Sequence, residues 1–347
     1  MFRHVRNIGF ALALSTAALV ALLILQALLL FRGHIARLGD IAPPGIEYLS
    51  ICDDGRHALL LIREPMTEHR DRIRHTLAPF STMPPPAPLS LPTAGLAPWR
   101  ITGARQAPFA FVASKRGDLY SLDLRGNPAP PIHFGRHPLP YLKDLACTDD
   151  ASLVVAANIS ISCWDRATAR CLWSRDDCEI IRGMFVPCTH RFFAALTTGQ
   201  IAELDAHSGV TLREFPSHSA CTTYLDISLD SQRLVAANPL GDCVVSVLAA
   251  NEPLWSRKFP SYSVAPRFSP DGRILVAADV QRRPRVTLLC ADSGDVLGEL
   301  TGARAMILGL TISPHGAVYA WDVTGTVSVW DLASRALLFQ FRPEQFK

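Results

Sequence analysis

Lysine is almost missing from this chain: four of its thirty-four basic residues are Lys and the rest are Arg. Thirty-one acidic residues oppose them, leaving a formal net charge of only +3. So small an excess does not demand a polyanionic partner, and no basic stripe interleaved with aromatics runs along the sequence, so nucleic acid is not expected as a ligand. Catalytic and cofactor-capturing motifs are missing too. There is no GxGxxG, phosphate-cradling loop, HExxH or GxSxG, and no carboxylate pair stands out by its spacing. The nine cysteines, at 52, 147, 163, 171, 178, 188, 221, 243 and 290, include no CxxC pair and no zinc-finger spacing. His133 and His137 stand four apart, but in a proline-flanked loop where no helix would align them on a metal. These gaps predict a protein without catalytic residues, cofactor or metal, and not an enzyme.

What the chain does have is repetition. A polar turn followed by an apolar strand ending in small residues returns as FSPDGRILVAAD (268–279), ISLDSQRLVAAN (227–238) and ACTDDASLVVAAN (146–158). Weaker copies are VPCTHRFFAALT (186–197), TISPHGAVYAWD (311–322), SICDDGRHALLL (50–61) and ARQAPFAFVAS (104–114). The turns centre near 54, 106, 150, 189, 230, 271 and 315, so five of six intervals lie between 39 and 44 residues and the first, near 52, is long. Periods of this size mark propeller blades. Each copy goes on to an alternating run, a turn and a last strand, as in GTVSVWDLASRALLFQF (325–341), which makes four strands per repeat. The expected fold is all-β: a seven-bladed β-propeller of four-stranded antiparallel blades over residues 46–341, with a short tail at 342–347.

The pre-turn slot is apolar in Ile51, Cys147, Val186, Ile227, Phe268 and Ile312, and is expected in the core. The small residues closing the second strands, such as Ala194-Ala195 and Ala277-Ala278, are expected where twisted backbones converge. Asp54 and Asp271 beside Gly read as hairpin-turn chemistry. Trp164-Asp165 and Trp330-Asp331 end third strands, Leu122-Asp123 and Leu204-Asp205 are conservative stand-ins, and Trp321-Asp322 ends a second strand. On these residues the chain resembles the WD40-repeat family, whose usual use of the propeller is protein binding. Segments such as GQIAELDAHSG resemble quinoprotein repeats as much as WD40 ones.

Residues 8–31 form an uncharged stretch of 24 residues containing nine Leu. As a helix it would reach about 36 Å against a hydrocarbon core of about 30 Å, and is expected to be one transmembrane helix after a short tail at 1–7 and before a linker at 32–45. It ends Leu28-Leu29-Leu30-Phe31-Arg32, without the small-residue site of a cleaved signal peptide. Arg3 and Arg6 on one side face Arg32 and Arg37 on the other, nearly a tie under the positive-inside rule. The shortness of the tail favours a propeller outside the cytoplasm, on a single-pass N-terminal anchor. The odd cysteine number weighs mildly the other way.

The long first interval holds EHRDRIRH (68–75) and seven prolines between 79 and 98, and reads as a proline-rich insertion over about 64–98. Loops joining second to third strands, and last strands to the next blade, share one face of a propeller. Lys115, Arg116, Arg136, His137, Arg282, Arg283, Arg285 and Arg304 would lie there as a candidate partner-binding face, with Asp176, Asp177 and Glu179 as the acidic counterpart. The expected function is a membrane-tethered protein-interaction platform, with no small-molecule substrate evident. The alternatives are a propeller enzyme or small-ligand binder of quinoprotein or lactonase type, and an envelope-protein assembly factor.

Overall fold

The computed structural model describes residues 98–342 except 126–129, 178, 216–221, 239, 251, 260–262 and 280–283, together with the backbone of 45–51, 57–63, 72–77 and 89–90. Residues 8–31 and the linker lie outside the described residues. Among the described residues there is no helix long and apolar enough to cross a membrane.

The N-terminal backbone pairs as a four-stranded antiparallel sheet of β1 (Gly45–Ile51), β2 (His57–Arg63), β3 (Arg72–Leu77) and β4 (Leu89–Ser90). The stretch read as a proline-rich insertion therefore carries two strands of this sheet. The charged residues of EHRDRIRH disguised one of them, because Arg-Ile-Arg-His lacks the β-branched and aromatic content of a typical strand.

Six more four-stranded antiparallel sheets follow, each pairing its strands in chain order. Their first strands are β5 (Pro98–Gly103), β9 (Asp144–Cys147), β13 (Ile180–Phe185), β17 (Tyr224–Ile227), β21 (Ser263–Phe268) and β25 (Ile307–Ile312). Second strands are β6 (Phe109–Ser114), β10 (Leu153–Ala157), β14 (Arg191–Leu196), β18 (Arg233–Ala237), β22 (Ile274–Asp279) and β26 (Ala317–Asp322). Third strands are β7 (Asp118–Asp123), β11 (Ile161–Asp165), β15 (Ile201–Asp205), β19 (Asp242–Val247), β23 (Arg285–Cys290) and β27 (Val327–Asp331). Fourth strands are β8 (Ile132–Arg136), β12 (Arg170–Arg175), β16 (Thr211–Phe215), β20 (Glu252–Lys258), β24 (Val296–Leu300) and β28 (Leu337–Phe341).

Side-chain hydroxyls set the turn between first and second strands. Thr148, Ser228, Ser269 and Ser313 each accept the N–H of the second strand's opening residue, Leu153, Arg233, Ile274 and Ala317. In the β13–β14 turn Val186 holds that place, shown by its N–H donating to the carbonyl of Arg191 as Ser228 does to Arg233. The pre-turn slot there belongs to Phe185, one residue before the Val186 expected from sequence. Within that slot Ile227 and Phe268 are buried, while Cys147 and Ile312 are only half-buried, less than the core placement expected of them. The paired alanines Ala194-Ala195 and Ala277-Ala278 are buried as expected.

Apolar cores lie between consecutive sheets. Phe111, Phe134 and Leu145 join β5–β8 to β9–β12, and Phe193, Phe215 and Leu234 join β13–β16 to β17–β20. Val276, Leu300 and the fully buried Trp330 join β21–β24 to β25–β28. A sheet with both faces committed to neighbours has no core of its own, which is the stacking logic of repeat architectures. First strands contact one another in series from β5 to β25, and β1 contacts both β25 and β5.

Three outer strands, β12, β16 and β20, reach across to the following sheet. In the repeated segment Leu-Trp-Ser-Arg, Trp173 on β12 donates its indole N–H to the carbonyl of Ala206 at 2.7 Å, and Trp255 on β20 donates to Ala291 at 2.8 Å. Two residues on, Arg175 and Arg257 donate to the carbonyls of Gly209 and Gly294 in the same receiving hairpins. Both glycines adopt positive φ, +72° and +73°, and their bare Cα atoms are what lets the indoles approach. In the β13–β16 sheet the corresponding place is taken by Arg213, which reaches the Ala249 carbonyl instead.

Candidate functional site

The first strands converge on a cavity of about 220 Å³ whose polar lining includes Arg105, Asp144, Asp149, Arg182, Asp226 and Arg267. Alternation along a strand sends every second residue inward, so each first strand offers side chains at two levels. These are two and four residues before the turn-opening residue.

Two carboxylates use these levels in the same way. Asp144 accepts from the Arg182 guanidinium at 3.2 Å and from the N–H of Gly183 at 2.7 Å, both on the following sheet. Asp226 accepts from Arg267 at 3.3 Å and from the N–H of Phe268 at 2.8 Å, again on the following sheet. The first clasp sits at the four-residue level and the second at the two-residue level. Each guanidinium also donates to a backbone carbonyl, Arg182 to Thr223 and Arg267 to Leu225. Burial raises the Asp226 carboxyl above the usual carboxylate range, against the pull of Arg267, the Phe268 N–H and Arg105. A carboxyl so perturbed in a cleft is a general feature of functional sites. Beside the clasps, the Thr102 hydroxyl lies 4.0 Å from the Cys147 sulfur. Among the described residues, no group of three or more His, Cys, Asp or Glu is placed to hold a metal ion.

The residues of the expected partner face fall into different environments. Arg116 and Arg304 are exposed, on a second-to-third-strand loop and a sheet-to-sheet loop. Lys115 is half-buried in the same loop as Arg116, and its carbonyl accepts the N–H of Tyr141. Arg136 pairs with Asp118 at 3.6 Å, and Arg285 with Glu299 at 3.2 Å, each across neighbouring strands of one sheet. Arg282 and Arg283 lie outside the described residues. His137 is fully buried, so its side chain belongs to no surface. Its Nδ1 accepts the Leu139 N–H at 3.1 Å and its Nε2 lies 3.4 Å from the Ser160 hydroxyl, so the ring splices two loops together. Burial pushes the imidazole's proton affinity down, favouring the neutral ring.

Sequence reasoning missed the apolar part of this face. Tyr141, Ile159, Leu240, Met306, Leu308 and Val323 are all exposed at the loop end where Arg116 and Arg304 lie. Leu308 opens β25 beside Met306, the others lie in loops, and they come from segments far apart in sequence that only the strand topology brings to one end. In two of the sheets the two loop types are hydrogen-bonded to each other: Asn158 donates to the Tyr141 carbonyl, and Val323 N–H to that of Met306. No protein-family model matches the chain, and no curated protein matches it in sequence.

Proposed function

We propose that this chain is a membrane-tethered, seven-bladed, WD40-like propeller that serves as a protein-interaction platform, with the propeller outside the cytoplasm. The serial contact of first strands, with β1 touching both β25 and β5, supports ring closure. The 24-residue apolar stretch at 8–31 supports the tether.

The observation that carries the platform reading is the outer strands. Ile132, Leu172, Leu212, Leu254, Val296 with Leu297, and Leu337 with Leu338 are exposed, so each last strand from β8 to β28 carries at least one. Edge strands left in water ordinarily carry charge against unwanted pairing, so an apolar series on every such strand suits a surface that partners cover. Asp144 and Asp226 of the cavity, by contrast, are engaged in the two clasps, and Asp149 accepts the Cys188 N–H, as suits a structural channel.

Proximity labelling in intact cells tests the proposal, with the labelling enzyme fused after Lys347. A small reproducible set of protein neighbours from one compartment is the expected result and also fixes the side of the membrane. No enrichment over a bare anchor would overturn the platform. The second reading, a small-ligand binder of quinoprotein or lactonase type, is favoured by one observation, the raised Asp226 carboxyl in the cavity. A ligand that stabilises the wild type but not Asp226→Asn would establish it.

A further inference from the structure

In each of the six sheets from β5 to β28, one backbone hydrogen bond ties the turn between first and second strands to the hairpin between third and fourth. Its donor is the residue after the third strand and its acceptor the residue before the second, as in the Ala206 N–H to the His190 carbonyl at 2.9 Å. The bond brings two side-chain places together at the turn end of the sheet, that of the acceptor and that of the residue after the donor. Of these six sheets only β13–β16 puts a histidine at either place, and it puts one at both, His190 and His207.

Both imidazoles are exposed, with ring centres 4.6 Å apart and planes inclined by 51°. Among the described residues neither ring has a hydrogen-bond partner, so each neutral imidazole keeps a nitrogen lone pair for an ion. A metal–nitrogen bond of about 2.1 Å puts each ring centre roughly 3.2 Å from the metal, so two imidazoles at a right angle about one ion stand about 4.5 Å apart. The observed separation matches that spacing. Each ring also stands within electrostatic reach of a carboxylate, His190 of Asp150 and His207 of Asp205. Those carboxylates are pinned by their own turns, Asp150 by Thr148 and Ser152 and Asp205 by Ser208, so they lend charge without closing on the ion. The Cys188 thiol, two residues before His190, is engaged by Gln106, which donates to its Sγ at 3.3 Å.

We propose that His190 and His207 together bind one divalent transition-metal ion of the nickel(II) or copper(II) class, whose square and tetragonal geometries set nitrogen ligands at right angles. Two protein ligands are fewer than a catalytic zinc site uses, so water fills the remaining positions and the ion stays open to a further ligand. Magnesium and calcium, which take oxygen ligands, do not suit the pair. The site is independent of the tethered reading, because it lies at the turn end, away from Arg116 and Arg304.

Carbethoxylation of histidines, read by peptide mass spectrometry on the full chain in detergent micelles without a polyhistidine tag, tests the site. Nickel(II) is the probe, because the chain's thiols do not reduce it. With nickel about tenfold above its titration midpoint, His190 and His207 should react about tenfold more slowly, as mass action requires. The exposed His133 and His315 should react at unchanged rates, and magnesium should protect none of the four. In His207→Asn, His190 should lose its protection, and in His190→Asn so should His207, because the ion needs both rings. No protection of the pair in the wild type, equal protection of His133 and His315, or protection of His190 that survives in His207→Asn would each overturn the proposal. Calorimetric titration gives a second reading: the wild type should take up one more nickel ion than the double variant, and equal uptake would overturn the site.

Discussion

Trp173 lies against Gly209 of the following sheet so closely that a Cβ there would come within 2.6 Å of the indole. The contact, the indole hydrogen bond to Ala206 and the Arg175 hydrogen bond to the Gly209 carbonyl fasten one sheet's outer strand to its neighbour's hairpin. Trp173→Ala should destabilise the domain by about 3 kcal/mol, and the fully buried Trp330 should cost about 3 to 5 when truncated to Ala. Gly209→Ala should cost about 1 to 3 kcal/mol for its left-handed backbone alone, plus the clash. Because removing the indole removes the clash, the two changes should be less than additive, which denaturant unfolding of the four-member cycle will measure.

Glu203 is fully buried, and its two oxygens pair with Arg191 and Arg213. Arg213 occupies the place held by tryptophan in the two docking strands, so the carboxylate compensates a guanidinium where the repeat prefers an indole. Removing one partner of a buried pair is costly. Glu203→Ala should lower stability by about 3 to 5 kcal/mol, whereas Glu203→Leu combined with Arg213→Leu, which leaves neither of these two charges unpaired, should recover part of it. Thermal melts of the single and double variants would settle this, and equal melting of both against wild type would remove the compensating role.

Cys290 ends β23 where Asp165, Asp205 and Asp331 end β11, β15 and β27. Those aspartates accept from the N–H and hydroxyl of the residue three further on, Thr168, Ser208 and Ser334. The same donors on Ser293, with the Asp292 N–H, hold the Cys290 thiol below its usual range, while burial pushes Cys163 and Cys243 up to about 12. Alkylation followed by peptide mass spectrometry should therefore modify Cys290 first, at a pH where the buried pair stays inert. Its linkage contribution is present above the ordinary thiol range and is lost as pH falls through the lowered folded value. Cys290→Asp should fold and remove that dependence.

His137 supplies a second pH dependence of known sign. The folded ring resists protonation, mainly through burial, whereas the unfolded chain takes up a proton near the ordinary value of about 6.5. Stability present above that pH should decline as acid is added, through the folded value. Asparagine can still accept the Leu139 N–H, so His137→Asn should fold and flatten the melting profile between neutral and mildly acidic pH. An unchanged profile would move the titration to another group.

The repeat was legible because turns and small-residue strand ends are local chemistry. The β13–β14 turn shows where that legibility stops. Its sisters mark the turn with a hydroxyl at Thr148, Ser228, Ser269 or Ser313, whereas Val186 has none, so the apolar pattern slips by one residue and only the hydrogen bonds restore it. β3 was hidden for the opposite reason, since arginines cover a strand that lacks a strand's composition. The clasps at Asp144 and Asp226 were beyond reach from sequence, because each joins residues roughly forty positions apart and no short spacing announces them. The burial of His137 was equally invisible: a histidine in a proline-flanked loop reads as exposed until two loops close over it.

The unequal heights of those clasps have one more consequence. One residue of strand rises about 3.3 Å, so the Asp144 and Asp226 clasps grip their neighbours at levels some 7 Å apart along the channel. Sheets that look interchangeable as repeats are thus keyed like unequal teeth on a lock. A chain in which the β9–β12 segment traded places with β17–β20 would set Asp226 beside Met184 rather than Arg267, leaving each carboxylate to face the wrong rung. Chain connectivity sets which sheet comes next, and the two aspartates fit only the sheet that it delivers.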